Sequence, residues 1–244
     1  MIKKIITSIL LTISIVAYGN DVKSISKYVF PQNVPSSPVE YVYMPDGLTY
    51  LTLNNNGKSI VKYDIKTGKE IETVIDVAKT RGAKIDAIEG FELSQDGSKL
   101  LVYTDKQMIY RRSFKASYYV YEIKRNMLVA LSENFTHQQA PVFSPDARVV
   151  AFVVDNNIYL KKLDYNTEIA VTTDGKINEI INGVPDWVYE EEFTTNNSMT
   201  WSPDNMTLCF IKYNEKSVKD YTMQLYKGTC NPKRQYEFYP GEFK

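Results

Sequence analysis

Phe143-Ser144-Pro145-Asp146-Ala147, followed after one residue by the run Val149 to Val154, is the stretch on which the fold is read. Proline presets φ for the first central position of a turn, and aspartate bonds back to nearby backbone, so the first half reads as a turn. The second half is Val-Val-Ala-Phe-Val-Val, a β-branched and aromatic run of strand length.

The same unit occurs three more times. Tyr43-Met44-Pro45-Asp46-Gly47 precedes Leu48 to Leu53, Leu93-Ser94-Gln95-Asp96-Gly97 precedes Lys99 to Tyr103, and Trp201-Ser202-Pro203-Asp204-Asn205 precedes Thr207 to Tyr213. The aspartates at 46, 96, 146 and 204 recur at intervals of 50, 50 and 58 residues. A turn followed by β-rich segments at this period is the signature of propeller blades. Ser59 to Ile65, Tyr118 to Ile123 and Asn157 to Leu163 read as further strands, with hairpin turns at Asp64 to Lys69 and Asp164 to Thr167. No long helical periodicity interrupts them. The expected fold is all-β, a partial β-propeller of about four antiparallel four-stranded blades. The chain stops at Tyr239-Pro240-Gly241-Glu242-Phe243-Lys244 without a strand pattern to latch a ring, so an open arc of a larger propeller is expected.

Composition agrees with this class. Nineteen Tyr and ten Phe against eleven Gly favour pleated, half-buried surfaces. Lys plus Arg and Asp plus Glu balance at 29 each, which lacks the excess positive charge of a phosphate-tracking surface, and no nucleic-acid partner is expected. Lys3 and Lys4, the apolar Ile5 to Val16 and the small-residue site Ala17-Tyr18-Gly19 read as a signal peptide over residues 1–19. The apolar run falls short of the ~20 residues needed to span a bilayer. Export to a periplasmic or cell-surface location is therefore expected, with an uncleaved membrane anchor as the alternative, and residues 20–244 are left for the propeller. Export permits one Cys209–Cys230 bridge. A buried thiol at Cys209, in the apolar run Leu208-Cys209-Phe210-Ile211, is the preferred reading.

The third interval is eight residues longer than the other two and contains Asn182-Gly183-Val184-Pro185-Asp186-Trp187-Val188-Tyr189-Glu190-Glu191-Glu192-Phe193. Insertions in repeat proteins fall in loops on one face, often the binding face. Asp186 is placed to cap a short helical turn over Trp187 to Phe193. Adjacent carboxylates ~5 Å apart repel by about 3 kcal/mol at an effective dielectric of ~20, and a cation ~4 Å from each returns about 4 kcal/mol per contact. An ammonium, a metal ion or an arginine meets that demand, and so does solvation of an acidic face. A Ca²⁺ site is disfavoured because the Asp/Asn/Gly ligand loop is absent.

This segment resembles the double-glutamate motif of the dipeptidyl peptidase IV family of serine peptidases. The resemblance implies that Glu191 and Glu192 grip the free N-terminal ammonium of a peptide substrate while Glu190 faces elsewhere. Tyr110-Arg111-Arg112-Ser113-Phe114-Lys115-Ala116-Ser117-Tyr118 resembles a second stretch of the family. It implies that Arg111 contacts the substrate's P2 carbonyl and helps to hold the glutamates. Arg112 stands where the family often has His and receives no role.

The reaction implied is release of Xaa-Pro or Xaa-Ala dipeptides from peptides with free N-termini, without cofactor or metal. A non-catalytic exported propeller that binds or scaffolds is the alternative. A Ser-His-acid triad is needed for the chemistry, yet no Gly-x-Ser-x-Gly elbow occurs here and His137 is the only histidine. The resemblance places the triad in a C-terminal α/β-hydrolase domain as the partner of this portion, and allows a homodimer of the full-length enzyme. No catalytic residue is assigned within these 244 residues.

Overall fold

The computed structural model describes residues 41–54, 56–227 and 233–240. The expected signal peptide and Cys230 lie outside the described residues.

Three of the four repeat turns are closed by the same local bonds. In the second, Ser94 Oγ donates to Asp96 Oδ1 at 2.6 Å, Ser98 N donates to the same oxygen at 3.0 Å, and Lys99 N donates to Ser94 Oγ at 2.9 Å. Ser144 and Asp146 repeat this pattern at 2.6, 3.2 and 3.0 Å, and Ser202 and Asp204 at 2.6, 3.0 and 2.9 Å. In the first turn Met44 replaces the serine, and Asp46 instead accepts from Leu48 N, Thr49 N and the Thr49 hydroxyl. The residue after each aspartate, Gly47, Gly97, Ala147 or Asn205, has positive φ, which is why glycine and asparagine recur there.

These turns launch antiparallel meanders. The first blade comprises β1 (Val42–Tyr43), β2 (Thr49–Asn54), β3 (Ser59–Asp64) and β4 (Glu70–Asp76), hydrogen-bonded in that order. After the short β5 (Arg81–Gly82), the second blade runs β6 (Gly90–Leu93), β7 (Lys99–Met108), β8 (Phe114–Glu122) and β9 (Met127–Ala130). The third runs β10 (Gln138–Phe143), β11 (Val149–Val154), β12 (Asn157–Lys162) and β13 (Thr167–Ala170), and the start of β10 also pairs with β8 through Gln138 and Gln139, joining the second and third blades in one sheet. The fourth repeat holds two short ladders. β14 (Ile180–Asn182) pairs with β17 (Lys212–Asn214), and β15 (Met199–Trp201) pairs with β16 (Leu208–Phe210). The single α-helix of the described residues, α1 (Trp187–Phe193), lies between β14 and β15, and a hairpin of β18 (Asp220–Lys227) and β19 (Lys233–Pro240) follows.

Strand alternation divides each central strand between its two neighbours. Leu100 and Val102 of β7 join Leu51, Ile60 and Ile75 of the first blade, whereas Leu101 and Tyr103 join Val150 and Phe152 of the third. Ala151 and Val153 of β11 then face Val184 and Met199 of the fourth repeat. A strand buried on both faces reads as a continuous apolar run, which accounts for the Val149 to Val154 pattern. The outer strands β4 and β13 are largely exposed and mixed in polarity. The architecture is an open partial propeller.

Two expectations need correction. Thr207 to Tyr213 is not one strand. Ile211 N donates to Ser198 O at 3.0 Å while Gly183 N donates to Ile211 O at 3.1 Å, so the segment changes partner at Ile211 and divides into β16 and β17. Cys209 is an exposed free thiol rather than a buried one, because Leu208 and Phe210 on either side turn towards the core and alternation sends Cys209 outwards.

The turn aspartates set an acid limit on stability. The hydroxyls of Thr49, Ser144 and Ser202 hold Asp46, Asp146 and Asp204 below the ordinary 3.8. Burial opposes the charge on Asp96, but Ser94 and Ser98 outweigh it and lower that group too. With folded values below unfolded ones, the unfolded chain takes up protons first as pH falls. The contribution is complete above the unfolded value and is lost as pH drops through the folded ones, so denaturant midpoints should fall between about pH 5 and pH 2. A variant with all four aspartates changed to Asn should give a shallower profile, and an unchanged slope would remove the turns from the cause.

Candidate functional site

The inserted segment enters through Gly183, whose φ is +80° and whose added Cβ would lie 2.9 Å from both Ile158 Cγ1 and Met199 Sδ. Backbone conformation and close packing therefore both demand glycine there. Asp186 caps α1 as expected, accepting from Tyr189 N at 2.7 Å, and Thr194 ends it in the left-handed region at φ 56°. Such a cap stabilises a helix by about 1 kcal/mol. Seven residues give α1 two turns, and its three glutamates point in directions roughly 100° apart.

Those directions give the three carboxylates different environments. Glu190 is 1% exposed, and its Oε1 accepts from Arg112 N at 2.7 Å and Ser113 N at 2.9 Å. Glu191 Oε1 lies 2.9 Å from Arg111 Nη1. Glu192 is exposed. Arg111 to Ser113 form the tip of the β7–β8 hairpin, closed where Ile109 N donates to Ser113 O at 2.9 Å and Tyr110 N at 3.3 Å. The structure thus brings Arg111 and Glu191 together from two different repeats, whereas the exposed Glu192 follows on the same helix without an ion pair to Arg111.

The two links differ in strength. With Arg111 70% and Glu191 25% exposed, the ion pair alone adds about 0.2–1 kcal/mol to stability. Hydrogen bonds to a buried charged group contribute about 1.5–3 kcal/mol each, so Glu190 is the stronger tie. Glu190 Oε2, Arg112 Nε and Ser113 Oγ are buried without a hydrogen-bond partner among the described residues. Three such atoms at one contact mark a place where polarity is kept despite its cost.

A cleft of about 580 Å³ adjoins this region. Tyr110 and Ser113 of the hairpin, His137, Glu215, and Asp186 and Trp187 at the start of α1 line it, whereas Glu191 and Glu192 do not. His137 Nε2 lies 2.7 Å from Asp105 Oδ2 and 3.1 Å from Gln107 Nε2, and the His137 bond holds Asp105 below its ordinary value. Within Asn134 to Gln138 the sequence holds no acid to partner His137. Its partner comes from the irregular β7–β8 register between Thr104 and Gln107, where Asp105 has φ 52° and its N–H donates to Glu89 Oε1 at 2.8 Å. The role of Glu190 was likewise missed, since nothing in three consecutive glutamates distinguishes the first. Among the described residues no group of three or more His, Cys, Asp or Glu side chains is arranged to hold a metal ion.

Comparison with known proteins gives consistent matches. The family model described as the dipeptidyl peptidase IV (DPP IV) N-terminal region matches residues 94–241. Probable dipeptidyl-aminopeptidase B of Podospora anserina is 31% identical over 209 residues, covering 78% of this chain and 22% of the relative. Its Aspergillus fumigatus counterpart is 38% identical over 136 residues, covering 54% of this chain and 15% of the relative. The crystal structure of Porphyromonas gingivalis dipeptidyl peptidase 4 superposes with a TM-score of 0.76 at 40% identity, covering 84% of this chain and 29% of that one. The chain thus spans under a third of the length of these proteins.

Proposed function

The chain belongs to the dipeptidyl peptidase IV family, as its N-terminal propeller region, and from that premise we propose that it orients peptide substrates for a serine exopeptidase. In this reading the whole enzyme releases Xaa-Pro or Xaa-Ala dipeptides from free N-termini. Glu191 and Glu192 hold the substrate ammonium, and Arg111 holds the P2 carbonyl. The nucleophile, base and orienting acid belong to a hydrolase domain outside these 244 residues, so this portion alone does not hydrolyse peptides. Export by way of residues 1–19 is part of the same proposal.

The observation that carries it is the Arg111–Glu191 pair at 2.9 Å. A carboxylate accepts at both oxygens, and the arginine engages Oε1, so Glu191 retains a second acceptor for an ammonium. The pair lies where a hairpin of one blade meets the insertion of another, and a ligand held there is located relative to the propeller rather than to one loop.

The test is a titration of the chain with alanyl-proline amide and with its N-acetyl derivative. The free amine should bind at least roughly tenfold more tightly, because acetylation removes the charge that the carboxylates pair with. Equal affinity would leave the glutamates a solvated acidic face and would favour the non-catalytic binding module.

A further inference from the structure

We propose that Glu190 is a positioning residue: its carboxylate fixes the backbone of the β7–β8 hairpin tip so that Arg111 is presented beside Glu191. This rests on the substrate-orienting reading of Arg111 and Glu191. Two adjacent amides, Arg112 N and Ser113 N, converge on a single oxygen of Glu190, across 78 and 77 residues of sequence. A carboxylate that receives consecutive N–H groups dictates the local path of the chain, because both vectors must point at one atom. Arg111 is the next residue, so its Cα is placed by the same two bonds.

The alternative, that the Arg111–Glu191 pair positions itself, does not fit the exposures. The arginine side chain is 70% exposed, and an exposed pair of long side chains is weakly held and screened by salt. Glu190 is 1% exposed and Ser113 is 2% exposed, so their contact is shielded from both effects. The helix phase supplies the rest. Consecutive residues let Glu190 turn into the hairpin backbone while Glu191 meets the guanidinium, so one short helix sets both the arginine's position and its partner.

The chain itself carries the test, read by amide hydrogen exchange at Arg112 and Ser113 and by affinity for alanyl-proline amide. Glu190→Gln keeps an acceptor oxygen but loses its charge, and protection at these two amides should fall by roughly threefold to tenfold. Glu190→Ala should lose that protection entirely and weaken free-amine binding at least roughly tenfold, with β11 amides unchanged. Arg111→Ala should weaken binding while leaving Arg112 and Ser113 protected, which separates the side chain from the clamp. Unchanged protection at both amides in Glu190→Ala overturns the proposal. Should Glu190→Ala fail to fold, Glu190→Gln decides alone: a loss confined to the two amides supports the clamp, and none overturns it. If the parent chain binds the acetylated and free peptides equally, the ammonium reading fails, while exchange at Arg112 and Ser113 still judges Glu190.

Discussion

Replacing Glu191 or Glu192 by alanine, in a polypeptide that joins this propeller portion to the hydrolase domain, should lower kcat/KM on a free-amine Xaa-Pro substrate by roughly thirty- to several-thousand-fold. The triad would be intact in such a variant, but the scissile bond would no longer be brought to the nucleophile in a reactive orientation. Neither carboxylate is buried in the free chain, but a bound peptide would cover them, and losing a charge-assisted partner so covered costs about 2–5 kcal/mol, which sets the range. A substrate with an acetylated amino end has no ammonium to hold, so it should be poor for the parent and barely affected by either substitution. The control matters because Glu191 also pairs with Arg111 at 2.9 Å, and general damage to the site would slow both substrates alike. Parental efficiency of both alanine variants on the free amine would refute the ammonium assignment.

Phe152→Ala should damage the fold severely. Phe152 is fully buried, belongs to the cluster between the second and third blades, and stacks on Tyr159 with ring centroids 5.7 Å apart. Truncating a buried phenylalanine costs about 3–5 kcal/mol through lost transfer energy and the cavity left behind. For a chain of this size that corresponds to a Tm lower by about 6–20 °C. Tyr165→Ala supplies the comparison, since Tyr165 is 73% exposed at the tip of the β12–β13 hairpin and its loss should stay within about 0.5 kcal/mol. Equal effects of the two would show that the blades are not held by face-to-face packing. Both are read by thermal or denaturant unfolding of the chain.

The repeat turns were legible because their information is local. Ser144 and Asp146 close their turn within a few residues, and the positive φ at Gly47, Gly97 and Asn205 suits those residue types. Ala147 shows the limit, since it takes the same conformation at φ 53° without a residue that advertises it. The strand at Val149 to Val154 was readable for the opposite reason: burial on both faces leaves no polar position to obscure it. Cys209 was misread because its apolar neighbours look the same whether the strand is covered on one face or two.

The order of the repeat turns, the period, the extra length of the third interval and the cap at Asp186 were determined by the sequence alone. Each is decided by residues within a few positions of one another, where propensity and short-range hydrogen bonds act directly. Which glutamate meets which partner was decided only by the tertiary structure. Glu190, Glu191 and Glu192 are identical side chains in succession, separated only by the phase of α1 against the β7–β8 hairpin. That phase depends on how the blades pack through Val150, Phe152 and their neighbours. The pairing of Asp105 with His137 arises in the same way, from a register irregularity between strands. No local window contains such information, because it is set by the packing of whole repeats against each other and not by the preference of any residue within them.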